Sequence, residues 1–279
     1  MENETCIELS GQIRRLHSID ASPWIGEGRA FWFEWNHPQE GSRNFGHITH
    51  NLTKSWGKFI KPGSTCIDIG SHSGDTTVPM GLLAFDKLRG RRGKVIAIDP
   101  NPDLQSILCA TLEINSHIAN FFNLNCAVTA RDVDEVELSD HGNANCNGGI
   151  ASAYPEKFKK HLNAIETYTY KAKGVSLETI ALNFDLQNNS DQLSFIKTDC
   201  EGYDKEILLG ARDFLIQVKP VIFAEWFDMF DEHEDAEFIS AINSIGYIPL
   251  NPTTLEILNS REKTSDVLCI HADRLHEFK

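Results

Sequence analysis

An α/β fold, built on a mainly parallel sheet covered by helices on both faces, is the class this sequence predicts. Three observations predict it. From Lys61 onward, short apolar runs alternate with stretches of helical apolar spacing. The runs read as strands buried on both faces rather than as half-polar antiparallel ribbons. Four of them end at or near an acidic residue, Asp68, Asp99, Asp199 and Glu225, and ligands in such sheets bind beyond the carboxyl ends of the strands.

The elements follow in order. Pro62-Gly63 is a turn, and Thr65 to Ile69 is a buried strand. Val78, Met80, Leu82, Leu83 and Phe85 suit a helix packed on it, with Pro79 tolerable in the first turn. Val95 to Ile98 is the second strand, stopped by Asp99-Pro100-Asn101-Pro102. Residues 103 to 117 form a helix, and Phe121 to Val128 a single third strand. Residues 129 to 173 are less regular, and "SDHGNANCNGGIASAY" (139 to 154) reads as a long loop. Beyond it come strands at Leu193–Thr198, Val221–Glu225, Tyr247–Leu250 and Val267–His271, with helices at Tyr203–Ala211 and Asp235–Ile245. Residues 1 to about 60 lack strand–helix alternation. Their aromatic cluster, Trp24, Phe31, Trp32, Phe33 and Trp35, either caps the core or forms a substrate lid. The expected division is residues 1–58 as an N-terminal extension and 59–279 as the main domain.

Composition narrows the partners. Lys+Arg is 26 against Asp+Glu 40, a formal net charge of −14, which argues against a nucleic-acid partner because phosphate neutralisation needs a basic face. The longest basic run, residues 89 to 94, reads as a solvated turn. Seven cysteines form no CxxC pair, and Cys66, Cys126 and Cys200 sit beside strands as small hydrophobes. Reduced thiols and an N-terminus without a signal-peptide core lead us to expect a cytoplasmic protein. No run of ~18 apolar residues predicts a membrane span. The oligomeric state is not legible.

The chemistry starts at "CIDIGSHSGDTT", residues 66 to 77. Gly70 and Gly74 allow close backbone approach at a helix start. A dinucleotide fingerprint would need GxGxxG, and His72 stands at its middle glycine. Flanked by Asp68 and Asp75, this helix start repels phosphate and suits an ammonium group instead. Asp99, at the second strand end, is placed to accept from two ribose hydroxyls. An ammonium, a ribose and no phosphate together indicate S-adenosylmethionine. Bland roles stay open beside these: Asp68 as a cap on the next helix, Asp99 as a turn former before Pro100.

With those residues in view, the chain resembles the FkbM family of S-adenosylmethionine-dependent methyltransferases over roughly residues 60 to 228. "KPGSTCIDIGSHSGDTT" is similar to its first motif, "GKVIAIDPNP" to its second-strand acidic motif and "LNCAV" to its third-strand segment. "VSLETI", "LSFIKTDCEGYDKEILLGA" and "KPVIFAEW" resemble its later segments, the KxDxEG stretch being the most specific. The resemblance implies a Rossmann-like seven-stranded class I methyltransferase sheet. It implies cofactor contacts from Asp68, Gly70, Ser71, His72, Gly74, Asp75, Asp99, Pro100, Asn101 and Ala127. Two departures matter: Asp99 stands where the family often has Glu, and "SHSG" replaces the commoner "ANxG", placing Ser71 and His72 at the cofactor's amino-acid end.

Methyl transfer from a sulfonium needs an in-line nucleophile, with a base when that nucleophile is a hydroxyl. The candidates for catalysis are Asp199, Glu201 and Glu225, with Lys197 on the same strand side as Asp199 and Glu201. These carboxylates could instead gather magnesium, an option left open without predicting a metal. His141 and His233 read as surface histidines, and Tyr154 and Tyr168 as acceptor-pocket candidates. The expected activity is O-methylation of a hydroxyl on a sugar, glycolipid or small natural product. An N-, protein- or RNA-directed methyltransferase of the same fold is the next choice. A non-catalytic cofactor-binding regulator or, disfavoured by His72, a nicotinamide dehydrogenase follows.

Overall fold

The computed structural model describes residues 2–36, 41–140, 148–150, 168–188, 192–260 and 262–278. They divide into two units, Met1–Asn125 and Cys126–Lys279.

The first unit opens with an antiparallel sheet of β1 (Asn3–Leu9), β2 (Gln12–Asp20) and β3 (Arg29–Phe33) in that order. Ser10 and Gly11 join β1 to β2 with φ of 52° and 77°, the positive-φ pair whose twist matches a tight hairpin. This sheet is a finding the alternation pattern did not reveal. The buried positions on β2 are Arg15, His17, Ser18 and Ile19, so charged and polar side chains stand where apolar ones would mark a strand.

Those buried charges are paired. His17 Nδ1 lies 2.8 Å from Glu2 Oε1 and Nε2 lies 2.7 Å from Glu34 Oε2. Arg15 adds an ion pair to Glu34 at 3.3 Å. Glu2 also accepts from the backbone N–H groups of Phe45 and Gly46, at the start of α2 (Phe45–Trp56), and Asn44 caps that helix through His47 N. Trp32, Phe33 and Trp35 are buried and belong to the core of this unit.

A parallel set follows, in order β4 (Thr65–Ile69), β5 (Lys94–Ile98), β6 (Asn120–Leu124). Every residue of β4 is buried. The helix α3 (Thr77–Ala84) is buried at all positions except Leu83, and Pro79 sits in its first turn. From α4 (Gln105–Ile114), Leu108 and Leu112 pack on Ala97 with Phe121 against them. The same buried side of α4 and its C-cap also hold β3: Phe33 N donates to Thr111 Oγ1, while Asn115 accepts from Phe31 N and donates to Phe31 O. A short α1 (Ser22–Ile25) lies between β2 and β3.

The second unit holds a four-stranded sheet of order β7-β10-β8-β9: β7 (Ala127–Thr129), β8 (Val133–Asp140), β9 (Gly148–Ile150) and β10 (Tyr168–Ser176). The single strand expected over Phe121–Val128 is therefore two strands in different sheets, broken at Asn125 and Cys126. Residues 141–147 and 151–154 of the expected 139–154 loop lie outside the described residues. Its described ends are strand, with Ser139 and Asp140 pairing Gly149 and Gly148.

After α5 (Leu177–Asn183), the unit adds β11 (Leu193–Thr198), α6 (Asp204–Gly210), α7 (Arg212–Val218), β12 (Val221–Glu225) and α8 (Glu232–Ser244). Next come β13 (Tyr247–Leu250) and β14 (Asp266–His271), then a 3-10 turn over Ala272–Glu277. The strand order is β13-β14-β12-β11, with β14 antiparallel to both neighbours. A capping box of Asp231 and Glu234 starts α8. Helix α7 had no counterpart in the sequence reading. The fold is mixed α/β with a large central sheet. Among the described residues no helix is long and apolar enough to cross a membrane.

Gly93 precedes β5 inside the basic run read as a solvated turn, and a Cβ there would stand 2.6 Å from the carbonyl oxygens of Ala84 and Ser64. Backbone cannot yield as a side-chain tip can. Gly93→Ala should destabilise by ~1–3 kcal/mol, read as a lower urea midpoint with unchanged m-value.

Burial by itself would lower the pKa of His17, but the Glu34 and Glu2 carboxylates outweigh it and raise the pKa. Burial would raise Glu34, and His17 with Arg43 N–H and Arg15 depress it. The His17 contribution is thus complete below the ordinary imidazole range and lost as pH rises through its raised pKa. The Glu34 contribution is complete above the ordinary carboxylate range and lost as pH falls. The stability difference between wild type and His17→Gln should therefore be largest between those ranges and shrink on both sides, measured by urea unfolding across pH.

Candidate functional site

In the first unit, the segment linking β4 to α3 is fastened to the end of β5. Gly70 N and Ser71 N both donate to Ile98 O, at 2.9 and 3.1 Å. Asp99 Oδ2 accepts from His72 N at 2.8 Å, and its Oδ1 accepts from Asn101 N at 2.9 Å. One carboxylate thus shapes two loops.

The turn reverses through positive φ at Gly70 (73°), His72 (50°) and Gly74 (92°). His72 is a non-glycine residue in a left-handed conformation, which costs of order 1 kcal/mol. Gly74 serves a purpose the sequence did not disclose. A Cβ there would come within 3.0 Å of Thr111 Cγ2, so its missing side chain makes room for α4 rather than for a ligand.

Asp68 is fully buried, and its Oδ2 accepts from the hydroxyls of Thr76 and Thr77 at 2.8 and 2.5 Å. The helix-capping role left open for it is thus occupied, through side-chain hydroxyls. Ser71 is also fully buried, and its Oγ has no hydrogen-bond partner among the described residues. Buried hydroxyls are normally satisfied, and this one sits in the segment expected to meet the cofactor's amino-acid end. Asp75 and Pro100 are partly buried and Asn101 is buried. The expected contacts from Asp68 to Asn101 therefore gather on two adjacent strand ends. Ala127 does not join them in this unit: it is buried on β7 of the second unit, paired with Gly174.

The second unit carries the acidic cluster. Lys197, buried on β11, pairs with Asp199 at 3.2 Å, consistent with strand alternation. Alternation does not place Glu201, because β11 ends at Thr198 and the chain turns through Glu201 (φ 52°) and Gly202 (φ 92°). Even so, ligand atoms of Asp199, Glu201 and Glu225 all lie within 4.8 Å of one another. Those three residues could hold a divalent cation or share a proton. Glu225 Oε2 is buried without a hydrogen-bond partner among the described residues.

Three further residues belong here that sequence reasoning passed over or did not weigh. Asp204, 1% exposed, accepts from Thr198 Oγ1 at 2.6 Å and Cys200 N at 3.3 Å, fixing the turn. Asp266 faces Glu225 in register on the antiparallel β14. Asp228 adds negative charge near Glu201. Register between strands far apart in sequence leaves no local signal. Burial raises the pKa of Glu225, of Glu201 and of Asp204, and Asp199's charge raises each further. Asp266 is pushed up to about 6 by burial and by Asp199. His233 is exposed on α8. His141 and Tyr154 lie outside the described residues, and Tyr168 pairs through its backbone with Asp140.

Residues 68–249 match the model of the methyltransferase FkbM domain. The chain belongs to the FkbM methyltransferase family. The glycine turn and Asp199, Glu201 and Glu225 lie inside the matched residues, and the family resemblance is thereby confirmed from residue 68 onward. No curated protein matches the sequence. Among solved structures it is similar to the methyltransferase FkbM of Methylobacillus flagellatus KT, at 12% identity and a TM-score of 0.43. That match covers 84% of this chain, which spans only 56% of the other. A SAM-dependent O-methyltransferase of Thermotoga maritima matches at 9% identity and TM-score 0.37, covering 85% of this chain and 66% of that one. Aeropyrum pernix fibrillarin, solved with natively bound S-adenosyl-L-methionine, matches at 13% identity and TM-score 0.39, covering 95% and 99%.

A carboxyl whose folded pKa is raised contributes stability that is present below the ordinary carboxylate range and is lost as pH rises toward the folded pKa. Glu201, Glu225, Asp204 and Asp266 all act in that direction, so thermal stability should fall from mildly acidic to alkaline pH. Glu225→Gln keeps the shape without the charge. Its Tm should exceed wild type by roughly 2–4 °C on the alkaline side, as expected for ~1 kcal/mol in a chain of this size, and should match wild type in acid.

Proposed function

We propose that this FkbM-family chain is an S-adenosylmethionine-dependent O-methyltransferase acting on a hydroxyl of a sugar, glycolipid or small natural product, in the cytoplasm. The observation that carries the cofactor half is the turn held by Asp99, with the buried Ser71 hydroxyl inside a family-matched segment. Ser71, His72 and Asp75 would hold the amino-acid end, and Asp99 with Pro100 and Asn101 the ribose. When bound, the cofactor supplies an electrophilic methyl group on a sulfonium.

The acidic cluster would do the rest. Burial and neighbouring charge raise the proton affinity of Glu201 and Glu225, which keeps them protonated at neutral pH. Asp199 would then take the proton as the acceptor hydroxyl forms its new bond to carbon. The net charge of −14 weighs against RNA as the acceptor.

The test is calorimetry with S-adenosylhomocysteine, with and without magnesium or EDTA, followed by methyl transfer from labelled cofactor to hydroxylated sugars and glycolipids. Asp99→Asn puts an amide donor against a backbone donor at either His72 or Asn101, and should weaken cofactor binding ~10-fold or more. Asp199→Asn should retain binding and lower turnover by ~10²-fold or more. Folded wild type that binds neither cofactor nor product would sink the reading. Turnover abolished by EDTA, with cofactor binding intact, would move the role of the carboxylates from base to cation ligands.

A further inference from the structure

We infer that Trp32, from the N-terminal sheet, is a positioning residue for the cofactor turn and acts through Ser73 to fix the tautomer of His72. The inference rests on the cofactor reading above and adds to it a part of the chain outside the family-matched residues.

Trp32 and Ser73 are both fully buried, and Trp32 Nε1 donates to Ser73 Oγ at 3.0 Å. Ser73 Oγ in turn lies 3.2 Å from His72 Nδ1. Among the described residues these are the partners of that hydroxyl. An indole N–H can only donate, whereas a hydroxyl carries one proton and accepts with its lone pairs. Were His72 Nδ1 also to donate to Ser73, the hydroxyl proton would be left buried with no acceptor, at a cost of several-fold to a hundredfold in equilibrium terms. The alternative satisfies the hydroxyl: Trp32 N–H donates to Ser73 Oγ, and Ser73 O–H donates to His72 Nδ1. The neutral imidazole then carries its proton on Nε2. A tautomer is inferred from such a network rather than seen, and here one direction gives the Ser73 proton an acceptor.

The ring is held as well as protonated. Trp35 meets His72 edge-on, with centroids 4.4 Å apart and planes at 86°, and Arg43 lies 4.3 Å over the Trp35 ring. His72 N is fixed by Asp99. Backbone, ring face and proton position of this left-handed residue are set by Asp99, Trp35 and Ser73, the last held in turn by Trp32.

The experiment labels the histidine nitrogens and reads long-range proton–nitrogen correlations, above the ordinary imidazole titration range, beside calorimetry with S-adenosylhomocysteine. Wild type should show His72 protonated on Nε2. Ser73→Ala and Trp32→Phe should each lose that single tautomer and bind ~5- to 10-fold more weakly, the worth of one neutral hydrogen bond. The double variant should bind no more weakly than either single one. An Nδ1-protonated His72 in wild type would overturn the inference. So would unchanged affinity in Ser73→Ala, or additive losses in the double variant, which indicate packing rather than a relay. Should Trp32→Phe not fold, Ser73→Ala decides alone. Wild type that fails to bind S-adenosylhomocysteine would instead overturn the cofactor reading, and this inference with it.

Discussion

A single carboxylate, that of Asp99, sets the geometry on which the first unit's candidate site depends. Its two oxygens take backbone N–H groups from two loops that leave adjacent strands. Charge-assisted bonds of this kind are stronger than neutral ones, and they are made where the chain has no ladder to hold it. Asp99 holds the left-handed His72 together with the local bond from Gly74 N to Ser71 O. From there the constraints spread outward: Ser71 is buried, Ser73 turns to Trp32, and Gly74 lies close enough to α4 to exclude a side chain. Asp68 contributes from beneath by gathering the hydroxyls of α3's first turn.

The second unit handles charge in the opposite way. Instead of one carboxylate satisfied by donors, it crowds Asp199, Glu201, Glu225, Asp204 and Asp266 near one lysine. Carboxylates this close, all but the exposed Asp199 partly or fully buried, cannot all ionise without a counter-charge. The arrangement costs stability, and strain of that kind clusters where chemistry is done. Asp204 is the exception, with Thr198 Oγ1 and Cys200 N both donating to it, and it serves the turn.

Much of this was legible in advance, and for identifiable reasons. Strands β4, β11 and β12 lie at the residues read for them because buried parallel strands leave mainly apolar runs, and the antiparallel β13 leaves a short one as well. Strand-end acids were visible since each run stops at one. The N-terminal sheet stayed hidden because β2 buries Arg15 and His17, whose partners lie elsewhere in the chain. The break at Asn125 and Cys126 could not be read either, for two short strands in different sheets look like one long one. Asp266 carries no motif and Ser73 fills the variable position of the SHSG turn, so only pairing across the fold shows their neighbours.

Asn115 gives the N-terminal strands a consequence for inheritance. Its side-chain amide accepts from Phe31 N and donates to Phe31 O, reading β3 as another strand would. Thr111 does the same for Phe33 N. A module attached in this manner cannot be traded between relatives as a bead on a string. Any recombination event that replaces residues before β4 must bring a strand whose polar backbone meets these two side chains, or replace α4 along with it. The boundary for shuffling, in nature or in the laboratory, therefore lies outside the N-terminal sheet rather than in front of the glycine turn.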